Sequence, residues 1–307
     1  MSSINSQKVA AGARIDLHSH TNRSDGTDSP SEMVTKAHAA GLNWVAITDH
    51  DTTTGWAEAE HTARELGIGL VPGIEVTTRG SELREDGTVR GFSVHLLALL
   101  PDPNHAELAE VLAASVAGRV ERLKIITERL SEDYDILWDD VLLELENGKT
   151  AGRPAIADAM VAKGIIAKRE PFFDLVKPGS RYYVPTQSVP STQEAIRLVR
   201  AAGGVPILAH PMARGKEPAP GQPMPTSNFE RLIDAGLGGF EIHHRDVSER
   251  VAEWLTQLAF EHDLILTGSS DYHGHGKDNK LGENLTAPEM FERVLEQGIG
   301  TSVVAPA

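Results

Sequence analysis

The chain of 307 residues contains no cysteine, and only 5% of its residues are aromatic. The absence of cysteine excludes disulfide bonds, zinc sites built on thiolates and cysteine nucleophiles. Long hydrophobic runs are also missing: the longest, residues 96–100, is far too short to span a membrane. Residues 1–13 lack the apolar centre of a signal peptide. We therefore expect a soluble, cytoplasmic protein.

The chain has few basic residues: it contains 29 lysines and arginines but 44 aspartates and glutamates, which gives a formal net charge of −15. This sign of charge argues against stable binding of long nucleic acid or of an anionic membrane surface. A small phosphorylated substrate is not excluded, since bound metal ions can reverse the local sign of charge. The composition does not indicate an oligomeric state.

Apolar runs rich in valine and isoleucine alternate along the chain with longer stretches of helical periodicity. The runs predict strands at residues 14–18, 44–48, 69–75, 92–98, 205–209, 239–243, 264–269 and 301–304. The intervening stretches predict helices at 31–40, 55–66, 191–202, 228–235, 247–262 and 288–296, the first of them capped by Ser31. Repeated βα units predict an α/β fold with a mostly parallel sheet, and their number indicates closure into a barrel.

The alternation is interrupted between about residues 101 and 185, where helical patterns at 106–131, 139–146, 154–163 and 170–176 follow one another. The simplest interpretation is a barrel formed by residues 1–100 and 186–307, with a small helical domain inserted at 101–185. Two segments predict loops over a site. They are 82–91, which contains the turn signal Asp86-Gly87, and the proline-rich stretch 213–227.

Histidines and carboxylates recur at or near the ends of the predicted strands. His18 and His20 form an H-x-H pair, which on a strand directs both imidazoles to one side. Imidazoles and carboxylates suit zinc, manganese or iron, and the strand ends of a barrel converge on one mouth. The sequence therefore predicts a metal centre at this mouth, with nine candidate ligands: His18, His20, Asp25, His50, Glu75, His95, His210, Asp271 and His273.

Other polar residues near these strand ends have different interpretations. Asp16 and Asp49 are each close to a ligand histidine, and we expect them to orient an imidazole rather than to bind metal. His243 and His244 follow the sixth strand, where a role in substrate binding or acid–base chemistry and a structural role are equally consistent with the sequence. The remaining histidines are interpreted as surface residues: His38, His61, His105, His262 and His275.

The order of these motifs resembles that of the PHP (polymerase and histidinol phosphatase) family. The resemblance rests on Asp16-Leu-His-Ser-His-Thr21, Ser24-Asp-Gly26, Ile47-Thr-Asp-His-Asp51, Pro72-Gly-Ile-Glu75, His95-Leu-Leu-Ala-Leu99, Ala209-His-Pro211 and Gly268-Ser-Ser-Asp-Tyr-His273. It extends over about residues 14–285. Within the family, the chain looks most like the stand-alone bacterial phosphoesterases, which include 3′,5′-nucleotide bisphosphate phosphatases and a 5′→3′ RNA exonuclease.

The resemblance implies a distorted seven-stranded barrel that binds two to three divalent metal ions (Mn, Fe or Zn). It divides the ligands into three sets, with Glu75 bridging the first two: His18, His20, Glu75 and Asp271; Glu75, His95 and His210; and Asp25, His50 and His273. The family's catalytic chemistry then implies roles for Glu75, Asp271 and His210 in holding an attacking hydroxide between metal ions.

The inserted helical domain carries the expected substrate contacts. Gly152-Arg153-Pro154 resembles a Gly-Arg-Pro-His stretch of the family, and Tyr183-Val-Pro185 resembles its Tyr-Val-Pro; Ala155 replaces the usual histidine, and Ser180 a frequent lysine. A guanidinium binds phosphate through two parallel hydrogen bonds, which makes Arg153 the leading phosphate contact. The full set of candidate substrate-binding residues is Arg153, Arg181, Tyr183, Arg119, Arg122, His243 and His244.

We accordingly expect an enzyme, a metal-dependent hydrolase of phosphoric esters. The favoured substrate is a nucleoside 3′,5′-bisphosphate that loses its 3′-phosphate to give a 5′-monophosphate such as AMP. Two alternatives belong to the same branch: a 5′→3′ exonuclease on short RNA and a cyclic-phosphate hydrolase. Two belong to other classes: an amidohydrolase acting on C–N bonds, and a non-catalytic metal-binding module.

Overall fold

The computed structural model describes residues 8–83, 89–146, 151–186, 188–213 and 216–307. Its strands are β1 (Ile15–Asp16), β2 (Trp44–Ile47), β3 (Gly69–Leu83), β4 (Val89–Leu99), β5 (Val205–Leu208), β6 (Gly239–His243) and β7 (Ile265–Gly268). Its helices are α1 (Pro30–Ala39), α2 (Trp56–Leu66), α3 (Ala106–Ser131), α4 (Trp138–Glu146), α5 (Arg153–Ala162), α6 (Glu170–Leu175), α7 (Thr192–Ala201), α8 (Thr226–Asp234), α9 (Glu249–Glu261) and α10 (Pro288–Gln297). None of the helices in these residues combines the length and apolar character needed to cross a membrane.

The seven strands form one sheet in the order β1 to β7. β1, β2 and β3 run parallel, as do β5, β6 and β7. β4 runs antiparallel to both neighbours, because only residues 84–88 separate it from β3, too few for a helical crossover. A parallel bridge between Ser19 and Tyr272 joins the segments that follow β1 and β7. The predicted α/β barrel, seven-stranded and distorted, is thereby confirmed.

The third and the last of the predicted strands differ from the structure. β3 does not end at Glu75, because it continues to Leu83 and pairs with β4 along that length. Residues 82–83 and 89–91 of the predicted loop 82–91 are therefore strand, and its turn signal at residues 86–87 lies outside the described residues. Residues 301–304 do not form a strand: Val304 alone pairs with Leu70, in an isolated bridge at the start of β3.

The start of the first helix also differs from the prediction. Ser29, not Ser31, is the N-cap: its side chain accepts a hydrogen bond from the backbone N–H of Glu32, whose side chain bonds the backbone of Ser29 in return. Pro30 then occupies the first helical position, where its missing N–H costs nothing. The helices of the inserted region begin and end within one residue of their predicted limits.

Apolar residues form three clusters. One lies between the sheet and the helices around it and includes Val45, Leu96 and Phe240. Another joins the opposite face of the sheet to α10 and includes Ile207 and Phe291. The third is confined to residues 123–184 of the inserted region and includes Leu123, Ile126, Leu130, Ile156, Met160 and Phe172. A cluster of its own supports the inserted region as a separate unit, whose limits at 101 and 185 stay a prediction.

Candidate metal centre

Histidines from distant parts of the sequence converge at one end of the barrel. The ring centroids of His20 and His273 are 4.1 Å apart, those of His20 and His50 4.7 Å, and those of His50 and His95 5.0 Å. His95 is in turn 5.5 Å from His210. Together with the carboxylates described below, the fold thus gathers all nine predicted ligands into one cluster.

Glu75 lies at the middle of this cluster. Its Oε1 is 2.8 Å from Nδ1 of His95 and 3.1 Å from Nε2 of His210. Its Oε2 is 3.0 Å from Nε2 of His20 and 3.2 Å from Nε2 of His18. The two carboxylate oxygens thus face different imidazoles, which is the arrangement that a bridging ligand requires.

The ligand atoms form overlapping groups in which all atoms lie within 4.8 Å of one another. One group is His18, His20, Glu75 and Asp271; a second is His20, Asp25, His50 and His273; a third is His50, Glu75 and His95. The first matches a predicted set. The second differs from prediction by including His20, so the set containing Asp25 is less isolated than the sequence indicated. The third contains His50 in place of the predicted His210, which groups instead with His18 and Glu241.

The donor atoms fit divalent ions. Nδ1 of His50 and Nε2 of His273 are buried without a hydrogen-bond partner in the described residues, although carboxylate oxygens of Glu75 and Asp25 lie 3.2 and 3.1 Å away. Nitrogen and oxygen atoms that are close but not aligned for hydrogen bonds are typical of ligands around a shared cation. We conclude that the residues suit a metal centre.

The charges of the cluster favour added positive charge. Burial alone would lower the pKa of His20, but Asp271 and Glu75 outweigh it and raise that pKa to about 9. Burial would raise the pKa of Asp271 and of Glu75, yet the surrounding histidines hold both well below their usual range. Burial lowers the pKa of His50 to about 3, so its imidazole is neutral and able to bind metal. Metal binding would therefore release a proton from His20.

Glu241 is a member of the cluster that the sequence analysis missed. Its side chain is fully buried in β6, and its Oε1 accepts a hydrogen bond from Nδ1 of His18 at 3.0 Å. His18, His210 and Glu241 also satisfy the distance criterion for a ligand group. The signal in the sequence is one carboxylate inside an otherwise apolar strand, because such a buried charge requires partners.

Asp16 does not orient an imidazole, contrary to the prediction. Its oxygens accept hydrogen bonds from the backbone N–H groups of Ser270 at 3.0 Å and of Gly282 at 2.8 Å. Burial raises its pKa to about 6. Because Ser270 precedes Asp271, Asp16 anchors the backbone beside that carboxylate rather than a histidine side chain.

Asp49 reaches an imidazole through an intermediary. It accepts hydrogen bonds from Oγ1 of Thr21 at 2.7 Å and from Oγ of Ser24 at 2.6 Å. Oγ of Ser24 lies 3.2 Å from Nδ1 of His20. The predicted orienting role of Asp49 is therefore consistent with the structure, with Ser24 placed between the two side chains.

The two histidines at the end of β6, His243 in the strand and His244 directly after it, have different surroundings. His243 is exposed, whereas His244 is buried with its Nε2 3.6 Å from Oδ2 of Asp271. The ammonium of Lys277 is 2.7 Å from the same oxygen. Of this pair, only His244 borders the metal centre. The five histidines interpreted as surface residues are exposed or half-buried: His38, His61, His105, His262 and His275.

Arg119 connects the inserted helices to the metal centre. Its guanidinium pairs with the buried carboxylate of Asp51, lies 3.3 Å from Oγ1 of Thr77, and donates to the carbonyl of His50 at 3.4 Å. Asp51 has a φ of 52°, an uncommon backbone conformation for a residue with a side chain. The pair thus secures α3 against the segment that carries a ligand histidine.

We expect Arg119→Ala to destabilise the fold by about 3 kcal/mol. That value is at the lower end of the cost of breaking a buried ion pair, because the side chain of Arg119 is 17% exposed. Arg122→Ala is the control: its guanidinium donates to a backbone carbonyl, that of Val184, so a loss of about 1 kcal/mol is expected. Urea unfolding measures both, and equal losses would contradict the prediction.

Arg122 and Arg153 form a cationic site in addition to the metal centre, and this pair is the second cationic site. Arg122 lies one turn beyond Arg119 on α3, and burial together with the positive charge of Arg153 lowers its pKa. Arg153 is the first residue of α5, one residue before the predicted start, with its guanidinium 5.9 Å from the centre of the Phe173 ring. Among the described residues, no carboxylate forms an ion pair with either guanidinium. Two neighbouring cations without a counter-charge are suited to an anionic ligand.

The other two predicted substrate contacts are engaged elsewhere. Arg181 pairs with Asp133 and stacks on Tyr182, with its guanidinium 4.9 Å from the ring centre. The side chain of Tyr183 is half-buried, and its carbonyl accepts a hydrogen bond from Arg129 at 2.6 Å. These contacts secure the segment before Val184. Tyr183 interacts electrostatically with Arg122, whereas Arg181 has no contact with Arg122 or Arg153 among those that the structure describes.

His273→Ala is expected to remove about one metal equivalent while leaving the fold intact. His273 approaches Asp25 at 3.1 Å, and its Nε2 does not contact Glu75 in the described structure. Its loss should therefore spare the ions held by Glu75. His275→Ala, an exposed neighbour, is the matched control. Metal content by elemental analysis and circular dichroism test this together; loss of all metal, or of the fold, would disprove that the ion is separable.

Comparison with known proteins places these features in a family. The model of the PHP domain matches residues 16–149. The chain is 30% identical to a 3′,5′-nucleoside bisphosphate phosphatase of Chromobacterium violaceum over 96% of this chain and 99% of that protein. It is 29% identical to a 5′-3′ exoribonuclease of Haemophilus influenzae, over 92% and 98%. It is 30% identical to a phosphoribosyl 1,2-cyclic phosphate 1,2-diphosphodiesterase of Eggerthella lenta, over 84% and 94%.

Two solved structures are similar to this chain along nearly its whole length. A protein from Bifidobacterium adolescentis, described as a metal-dependent phosphoesterase, is similar with a TM-score of 0.80 and 40% identity over 95% of this chain and 98% of that one. A protein from Chromobacterium violaceum described as an amidohydrolase, solved with bound sulfate and no metal, has a TM-score of 0.73 and 28% identity, over 96% of this chain and 99% of that one.

Proposed function

The chain belongs to the PHP family and is a metal-dependent phosphoesterase, a hydrolase of phosphoric esters; from that premise we propose that its substrate is a nucleoside 3′,5′-bisphosphate. It would remove the 3′-phosphate and release a nucleoside 5′-monophosphate such as AMP. The observation that carries this proposal is the pair of Arg122 and Arg153, whose positive charges interact and have no carboxylate partner in the described residues. A substrate with two phosphates uses both sites, whereas a simple monophosphate uses one.

The scissile phosphate would bind at the metal ions that the nine proposed ligands hold. Two to three divalent ions there would lower the pKa of water and neutralise phosphoryl oxygens. Glu75 would hold two ions at a fixed separation, because its two oxygens face different imidazoles. Asp271 and His210 would complete the sets on its two sides. Imidazole and carboxylate ligands are compatible with Mn, Fe or Zn.

The second phosphate would bind at the inserted helices. Arg119 donates to the carbonyl of His50, and Arg122 follows it by three residues, an axial rise of about 4.5 Å along α3. The second cationic site therefore lies about one helical turn from the residues around the metal centre. Arg153 is the first residue of α5, so the positive end of that helix dipole would also favour an anion there.

The metal centre has its own polar surroundings that could contact the substrate. His244 and Lys277 both approach Oδ2 of Asp271, at 3.6 and 2.7 Å. Both are cationic or hydrogen-bonding groups that could meet a phosphoryl oxygen. We assign His244 to substrate binding on this basis, and we make no such assignment for the exposed His243.

A screen that measures both free phosphate and released nucleotide or phosphomonoester products tests the proposed substrate. The panel comprises a nucleoside 3′,5′-bisphosphate, nucleoside monophosphates, a cyclic phosphate and short 5′-phosphorylated RNA, each with added Mn²⁺. We expect the highest kcat/KM for the bisphosphate. A preference for 5′-phosphorylated RNA or for the cyclic phosphate would instead favour the activities named for the Haemophilus and Eggerthella relatives. Turnover of amides without phosphoester hydrolysis would overturn the proposal.

A further inference from the structure

We propose that Glu241 is a positioning residue that sets the metal affinity of the centre by holding His18 and His210. The inference rests on the proposed assignment of these two histidines as ligands, and it adds a residue outside that set. Glu241 has no exposed surface, so it does not meet the substrate. Its effect would pass through the histidines alone.

Each oxygen of the Glu241 carboxylate has its own donors. Oε1 accepts a hydrogen bond from Nδ1 of His18 at 3.0 Å and another from Oγ of Ser269. Oε2 accepts from the backbone N–H of His210 at 2.8 Å. Along the chain, His18 lies just after β1, Ser269 just after β7 and His210 just after β5. Glu241 itself lies on β6. One buried carboxylate therefore ties together three of the segments that present ligands.

The hydrogen bond to His18 selects one nitrogen of that imidazole for metal binding. With its proton on Nδ1 directed at Glu241, His18 keeps the lone pair of Nε2 free. Nε2 is the atom that faces Glu75 at 3.2 Å and Asp271 at 3.5 Å. A carboxylate on the far nitrogen of a ligand histidine also fixes the ring orientation and strengthens the ligand.

The hydrogen bond to His210 holds an unfavourable backbone conformation. His210 has a φ of 30° and Met212 a φ of 56°, and such conformations cost about 1–3 kcal/mol each. Accepting from the N–H of His210, the carboxylate fixes the turn after β5. That turn brings Nε2 of His210 to 3.1 Å from Oε1 of Glu75.

A direct ligand role for Glu241 is the competing interpretation, because Glu241 forms a group with His18 and His210. The contacts argue against it. Both oxygens are already occupied by three donors, and the His18 nitrogen nearest to Glu241 is Nδ1, which points away from Glu75 and Asp271. A ligand role predicts that one metal equivalent disappears with the carboxylate, whereas a positioning role predicts weaker binding of an unchanged number of ions.

Glu241→Gln separates these roles. The amide has one acceptor oxygen, so its NH₂ group must face either the N–H of His210 or Nδ1 of His18, and one of the two hydrogen bonds is lost. We expect the affinity for Zn²⁺, measured by competition with a chelator, to fall about 10- to 100-fold with unchanged stoichiometry at saturation. Affinity equal to that of the wild type, or loss of a whole equivalent, would overturn the proposal.

Two further variants make the result specific. Thr267→Val is the matched control, because Thr267 pairs with Glu241 in the sheet and is equally buried, but its hydroxyl has no hydrogen-bond partner in the described residues. It should bind Zn²⁺ as the wild type does. His18→Ala tests the underlying assignment: if it keeps full metal content and affinity, the proposed ligand set fails, whatever Glu241→Gln does.

A spectroscopic measurement on the unaltered protein covers the case in which Glu241→Gln does not fold. In the Zn²⁺-loaded protein with ¹⁵N-labelled histidine, His18 should carry its proton on Nδ1 and bind metal through Nε2, with its resonances assigned from the His18→Ala spectrum. A proton on Nε2, or metal on Nδ1, would overturn the role of Glu241. A residue that served packing alone would not determine which nitrogen carries the proton.

Discussion

Glu75→Ala is expected to remove more than one metal equivalent and to reduce phosphoester hydrolysis by about a thousand-fold or more. The two oxygens of Glu75 face different groups of imidazoles, so the substitution takes a ligand from two ions at once. Metal-ion stabilisation of a phosphoryl transition state is worth several kcal/mol, and about 4 kcal/mol corresponds to a thousand-fold in rate. Elemental analysis and kcat/KM with added Mn²⁺ measure the two effects.

Two further variants distinguish the bridging role from general damage. Glu75→Gln keeps the volume of the side chain and removes its charge, so a similar loss of metal assigns the effect to ligation rather than to a cavity. Glu58→Gln removes a partly exposed carboxylate of α2 that pairs with Arg23 and lies outside the metal groups, and it should leave both measurements unchanged. Full metal occupancy in Glu75→Ala would show that Glu75 does not bridge.

Arg153→Ala is expected to lower kcat/KM for a nucleoside 3′,5′-bisphosphate by at least about 30-fold. Removing one partner of a buried charged pair costs about 2–5 kcal/mol, on the order of 30- to several thousand-fold. Arg153 is half-buried, so the lower bound is the appropriate expectation. The same variant should hydrolyse p-nitrophenyl phosphate almost as the wild type does, because that substrate has no second phosphate to bind.

The comparison of substrates makes the Arg153 experiment specific. Arg169→Ala, which removes another arginine of the inserted region that pairs with Asp158, should leave both substrates unaffected. Equal losses on both substrates in Arg153→Ala would place Arg153 at the reacting phosphoryl group. No loss on either would mean that Ala155 and Ser180 mark a pocket remodelled for a different ligand, and the bisphosphate proposal would fail.

Much of the geometry of the candidate metal centre could be predicted because its proposed ligands occur in short, ordered motifs. His18 and His20 are two residues apart, and Asp271 and His273 are also two apart. Such pairs are placed by local backbone geometry, and barrel strands bring their ends to one mouth. The alternation of apolar runs and helical patterns likewise determined the barrel and the inserted helices, since hydrophobic periodicity is a local property of the chain.

The partners of individual side chains were decided only by the tertiary structure. Asp16 and Glu241 are both acidic residues on strands, yet one binds backbone N–H groups near Asp271 and the other binds His18. Arg119 and Arg122 are one turn apart on α3, yet the first pairs with Asp51 and the second lies beside Arg153. Each outcome depends on a segment distant in sequence, and no local pattern encodes which distant charge will be buried against which. The residue types and their spacing therefore determined the chemistry available to this protein, whereas packing between distant segments decided which side chains hold the ligands and which remain free for an anion.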